Sequence, residues 1–123
     1  MKFQPERLDG VNAIQASTST QVTVNQQVWT TSVRVPWQGE ITAWPCARVE
    51  DLTVGQFESL LALQPEVVIV GTGARHQFVS PRLSHPLLTR GIGVESMDTA
   101  AACRTYNILI GEGRRAVAVL LLD

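Results

Sequence analysis

The chain has 123 residues and a mass of 13.4 kDa; 45% of its residues are hydrophobic and 17% charged. That length suits one domain, residues 1–123, with a core large enough to need neither disulfides nor metal, and the composition excludes general disorder. Ten basic against eleven acidic side chains leave a net charge of -1, and the arginines are scattered, so no field gathers nucleic acid or anionic lipid.

Residues 1–10 form a candidate disordered lead-in. Met1 to Asn12 lacks both the apolar core of a secretory signal and the repeated Arg of a transit peptide, which points to the cytoplasm. Ser17 to Val24 and Gln27 to Val35 are rich in Thr and Val and read as two strands, joined in a hairpin at Asn25-Gln26. In the second run Trp29, Thr31, Val33, Val35 and Trp37 share one face by period two, with Thr30, Ser32 and Arg34 on the other. Glu40 to Trp44 is a short further strand. Two of the three tryptophans, Trp29, Trp37 and Trp44, are expected in the core.

Thr53 and Gln56 form a capping box, with Leu52 stapled to Phe57, so a helix begins there. Its apolar face is Val54, Phe57, Leu60 and Leu61, and Pro65 stops it. Val67 to Val70 is the β-branched run of a central parallel strand. Ser80-Pro81 starts a second helix, which Pro86 should break or shorten before Gly91. Ile92 to Glu95 is another strand, and Asp98 caps a third helix with Ala102, Tyr106 and Leu109 on one face. Tyr106 is expected to pack and Asn107 to hold a local hydrogen bond. Val117 to Leu122 reads as an interior strand, and the longest apolar run, Ala116 to Leu122, is too short for a bilayer, which needs ~20 helical residues. Strand–helix–strand order predicts a mixed central sheet under helices, with a β-hairpin layer at one side.

Pro65–Gly73, Gly91–Asn107 and Glu112-Gly113-Arg114, preceded by the hairpin, Gly39 and Trp44, resemble the Mth-type (Mth938-like) domain family over residues 10–122. That group comprises small, mostly uncharacterised proteins and includes a mitochondrial complex I assembly factor and an adipogenesis-associated protein among its eukaryotic relatives. The resemblance implies a three-layer α/β fold with a mixed five-stranded sheet, its last strand antiparallel to the rest. It implies no catalytic residue.

Two parallel strands ending at Gly71 and Glu95 would open on one sheet edge, where α/β proteins bind ligands. The candidate binding residues there are Thr72, Gly73, Arg75, His76, Glu95, Asp98 and Thr99, with Ser96 completing a Ser/His/Asp set on paper. The plainer account has Asp98 as helix cap, Glu95 paired with Arg75 or Arg104, and His76 solvated. Gly71-Thr72-Gly73-Ala74-Arg75-His76 lacks the third glycine of a dinucleotide loop and the Gly-Lys of a Walker loop, so no cofactor is assigned; Gly71 and Gly73 instead allow a tight turn. Two histidines without helical spacing give no metal site, and Cys46 and Cys103 form no C-x-x-C pair, as expected of reduced, largely buried thiols. Two function classes remain. One is a non-catalytic interaction or assembly factor with a protein partner; the other is a small-ligand binder or enzyme using Gly71–Gln77 and Glu95–Thr99.

Overall fold

The computed structural model describes residues 10–122, and the candidate disordered lead-in falls almost wholly outside them. Eight strands and three helices follow in the order β1 (Ile14–Ser17), β2 (Val22–Val24), β3 (Gln27–Trp29), β4 (Val33–Pro36), β5 (Thr42–Ala43), α1 (Val54–Glu58), β6 (Val67–Gly71), α2 (Pro81–Leu88), β7 (Gly93–Met97), α3 (Thr99–Gly111) and β8 (Ala116–Leu120). They build a three-stranded antiparallel sheet, β1-β2-β3, and a five-stranded mixed sheet, β5-β4-β8-β6-β7. The mixed sheet and the flanking helices agree with the expected three-layer α/β class.

The two central strands, β6 and β8, are buried along their whole length. Period two then divides their side chains between two cores. Val67, Ile69, Ala116, Ala118 and Leu120 face α3 and the small sheet, around Tyr106. Val68, Val70, Val117 and Val119 face α1 and α2, around Phe57, Leu60 and Leu87. A strand apolar on both sides belongs between two layers, which is why these runs read as continuous hydrophobic sequence.

The hairpin turn lies at Asn25-Gln26, both with positive φ (52° and 71°), the conformation that matches strand twist in a two-residue hairpin. The strands around it are shorter than the composition suggests. Ser17 to Val24 is interrupted between β1 and β2, and Gln27 to Val35 divides between β3 in the small sheet and β4 in the large one. The break falls at Ser32, whose carbonyl accepts from Trp44 N at 2.8 Å and whose hydroxyl accepts from Leu122 N at 2.9 Å. A buried serine therefore stitches the strand change. Trp29, Val33, Val35 and Trp37 still border one core, while Thr31 is exposed. Of the tryptophans only Trp44 is fully buried; Trp29 and Trp37 are half-buried at the core margin.

Thr53 accepts from Gln56 N and Gln56 Oε1 accepts from Thr53 N, both at 3.1 Å, closing the capping box. Past Glu58 the helix tightens into a 3-10 segment, Ser59–Leu63, before Pro65. Phe57 and Leu60 face the core, but Val54 turns to solvent. In α2 Pro86 sits inside the helix without breaking it. The ring forfeits one intrahelical bond, yet Ser80 caps the first turn and Leu87 is wholly buried, so packing holds the last turn. The strand that opposes its neighbours is β4, not the last: β8 runs parallel to β6, and β6 parallel to β7. The β6–α2–β7 and β7–α3–β8 connections are crossovers, and crossovers return a chain in parallel.

Asn107 departs most from its expected role. Its side chain accepts from Ile14 N at 3.1 Å and donates to Ile14 O at 2.6 Å, so it bonds across 93 positions rather than locally. One amide thereby takes both outward backbone groups of Ile14, as a neighbouring strand would. Beside it Tyr106 Oη lies 2.9 Å from Asn12 O and 3.0 Å from Pro36 O. Buried Asn12 donates to Pro36 O at 2.7 Å and to Gly39 O at 3.0 Å. These polar groups join α3, the small sheet and the large sheet where no apolar side chain could satisfy the carbonyls.

Candidate functional site at the carboxyl edge of the sheet

Parallel β6 and β7 end together, with Gly71 opposite Met97. The carboxyl-edge loops therefore meet, as the strand order required. Beneath them Gly71 meets α3. A Cβ on Gly71 would sit 2.9 Å from both Thr99 Cα and Thr99 Oγ1, so the glycine is needed for close approach of strand and helix. This differs from the expected role in a turn, which belongs to Gly73 alone, at φ 103°.

The hydroxyls of this edge are committed to structure. Thr99 Oγ1 accepts from Gly73 N at 2.9 Å and donates to Leu121 O at 2.8 Å, while Thr99 N donates to Gly73 O at 2.9 Å. Thr72 Oγ1 donates to Arg75 O at 2.8 Å and accepts from Gln77 N at 3.0 Å; Gln77 Nε2 closes the loop on Thr72 O at 3.0 Å. Asp98 accepts from Ala101 N at 2.9 Å as the cap of α3. Thr72, Gly73 and Thr99 are buried, so three of the seven candidate residues serve as the frame of the loop.

The other side chains point outward. Arg75, His76 and Glu95 are exposed. His76 Nε2 lies 3.2 Å from Ser96 Oγ, which brings these two together as the loop geometry predicts. Asp98 is occupied with its cap and does not orient the imidazole, so the Ser/His/Asp set is not assembled. No ion pair joins Glu95 to Arg75 or Arg104 among the described residues; the ion pairs there involve Arg48 and, at the opposite edge, Glu66 with Arg114 and Arg115. Phe78, absent from the sequence-based candidates, is 77% exposed on the same loop. Its signal was a large apolar residue in a stretch with no periodic partner.

A shallow open hollow lies beside this edge, lined by Thr18, Ser19, Gly73, Ala74, Asp98 and Ala100. Among the described residues no three His, Cys, Asp or Glu side chains converge as metal ligands. Burial pushes the thiols of Cys46 and Cys103 above the ordinary range, Asp51 adding to the effect at Cys46, which opposes the thiolate a cysteine nucleophile needs. No helix among the described residues is long and apolar enough to cross a membrane.

NADH dehydrogenase [ubiquinone] 1 alpha subcomplex assembly factor 3 of Bos taurus is 37% identical over 83 residues, 66% of this chain and 45% of that protein. The chain thus spans about half the length of the curated relatives it matches. The crystal structure of a Bordetella parapertussis protein superposes with a TM-score of 0.87 at 41% identity, covering 93% of this chain and 98% of that one. A Bordetella pertussis protein described as a Mth938-like domain gives a TM-score of 0.84 at 33% identity, covering 100% of this chain and 93% of the other. The family model described as "Protein of unknown function (DUF498/DUF598)" matches residues 14–121. With its mixed five-stranded sheet, small antiparallel sheet and three helices, the chain belongs to this DUF498/DUF598 family and has the Mth938-like fold.

Proposed function

We propose that the protein is a non-catalytic interaction factor of the assembly type, acting in the cytoplasm, and that it binds a protein partner through the loop Gly71–Gln77, Phe78 and the Glu95–Thr99 corner. The observation that carries this reading is Phe78, 77% exposed beside the exposed Arg75 and His76. Large apolar side chains and arginines presented on a rigid frame are the groups that anchor protein interfaces. The frame comes from Thr72, Gly73 and Thr99, whose buried hydrogen bonds hold the loop without spending its outward groups. Similarity to a complex I assembly factor supports an assembly role by analogy.

The test is recovery of partners from the native cell by the tagged protein, with Arg75→Ala, Glu95→Ala and Phe78→Ser variants checked for folding by circular dichroism. Loss of specific partners in the variants is the expected result. Unchanged recovery would reject the reading.

His76 beside Ser96 favours a second reading, a small-ligand or enzymatic site. In that case the purified protein turns over a substrate and His76→Gln abolishes the reaction. No tight binding of NAD or ATP is expected, because the glycine loop lacks the third glycine and the lysine that phosphate binding uses. Low-micromolar affinity by calorimetry, lost in Gly73→Val with the fold intact, would overturn that expectation.

A further inference from the structure

The sheet edges of this molecule are not equally protected. At one end of the large sheet β5 has two residues and Pro45 follows closely. In the small sheet the Asn107 amide bonds Ile14 on the outer side of β1, and β3 has three residues. The remaining edge, β7, has five residues, contains no proline and, among the described residues, has no strand on its outer side.

Its hydrogen-bonding direction follows from two contacts. Gly93 N donates to Glu66 O at 3.2 Å, and Met97 O accepts from Thr72 N at 2.8 Å. Gly93, Glu95 and Met97 therefore turn their backbone groups to β6. Alternation turns the N–H and C=O of Val94 and Ser96 outward, a row of two donors and two acceptors ready for another strand.

The side chains say what kind of strand fits. Glu95 is exposed at the centre of β7 and has no ion-pair partner among the described residues. In the two-fold antiparallel pairing that uses both outward residues, Val94 would meet Ser96 of a second copy and Glu95 would face its own counterpart. Like charges directly opposite destabilise a sheet, so this edge is poorly suited to a second copy. A Lys or Arg across from Glu95 is favoured instead. On the same face Met97 Sγ lies 3.3 Å from Thr105 Oγ1, so this flank of α3 adjoins β7, and Ile108, three residues on from Thr105, is 62% exposed. An apolar side chain two positions from the basic one would cover Met97 and Ile108.

We propose that β7 receives an extended segment of a partner protein as a sixth strand, with a basic side chain opposite Glu95 and an apolar one on Met97 and Ile108. This rests on the reading of the carboxyl edge as a protein-binding surface and specifies its binding mode. Main-chain bonds give such strand addition its affinity, and alternate side chains its selectivity.

The experiment is selection of a randomised twelve-residue peptide library on the intact protein, followed by affinity and amide-exchange measurements on a selected peptide. The selected peptides should alternate apolar residues with Lys or Arg. Binding should slow exchange of the Val94 and Ser96 amides at least about tenfold. Ser96→Pro, which removes one outward N–H and leaves the pairing with β6 untouched, should weaken binding at least about fivefold, whereas Ser96→Ala, which keeps the N–H, should not. Glu95→Lys should invert the preference toward acidic peptides. If Ser96→Pro does not fold, the same loss is expected when the peptide is N-methylated at alternate positions. Peptides without basic residues, no enrichment, no protection of these amides, or a dimer dissolved by Ser96→Pro would each overturn the proposal. Partner recovery that depends on Arg75 and Phe78 but not on Ser96→Pro would reject strand addition and leave the interaction reading standing.

Discussion

The loop after β6 joins two materials. Its base, Gly71 to Gly73 against Thr99, is buried, closely packed and saturated with hydrogen bonds. Its tip, Arg75 to Phe78, is mostly exposed and touches the body chiefly through Gln77 and through His76 to Ser96. A base that rigid and a tip that open show how one short segment divides the work: the hydroxyls that sequence suggests for chemistry hold the backbone, and the side chains left over face outward.

Substitutions at the base should produce the largest effects. Gly71→Val places a side chain where even a Cβ has no room, and strand and helix must separate. A loss of about 3 kcal/mol is expected from overpacking of this kind, seen as a lower midpoint of a single urea transition; an unchanged midpoint would show that α3 yields freely.

Thr99→Val keeps the shape and removes the hydroxyl, leaving Gly73 N and Leu121 O without their buried partner. Each orphaned group costs about 1 kcal/mol or more, so a loss of roughly 2 kcal/mol is expected. A nearly neutral result would mean that water or a shifted loop satisfies both groups.

The opposite edge of the sheet provides a test by pH. Arg115 N and the Arg114 guanidinium donate to Glu66 at 2.9 and 2.8 Å, and these bonds lower the pKa of its carboxyl. The unfolded chain then binds a proton at higher pH than the folded one. Stability from this pair is complete above the ordinary carboxylate range and is lost as pH falls through the depressed value. Glu66→Gln should flatten that part of the stability–pH curve while leaving the neutral-pH behaviour of the loop tip unchanged; an unaltered acid limb would exclude Glu66 as its source.

The tip should give the smallest change in stability. Arg75→Ala and Phe78→Ser are exposed substitutions, for which shifts within about 0.5 kcal/mol are expected. A larger loss for Phe78→Ser would place that ring in the folding core and weaken its role as a contact. The comparison of base and tip is sharpest if partner recovery falls in the same variants whose melting does not move.

Local chemistry was legible in the residues wherever it acts over a few positions. The Thr53–Gln56 capping box, the Asp98 cap, the Asn25-Gln26 turn and the all-apolar β6 and β8 follow from propensity, capping geometry and period. The parallel β6–β7 pair and its shared edge followed from strand–helix–strand order. What sequence could not supply was decided by contacts between distant positions. Thr-Val runs carry no mark for the point where a chain leaves one sheet for another; Ser32 does so because Trp44 and Leu122 arrive to bond it. Asn107 bonds as a neighbouring strand would because Ile14 lies within reach across 93 positions. The strand–helix packing at Gly71 makes a glycine necessary where local chemistry only permits one. Backbone propensity is a property of neighbours in the chain, whereas exposure and hydrogen-bond vacancy are properties of the closed fold, so the open edge of β7 and the bare Phe78 ring appear only once the sheets have paired.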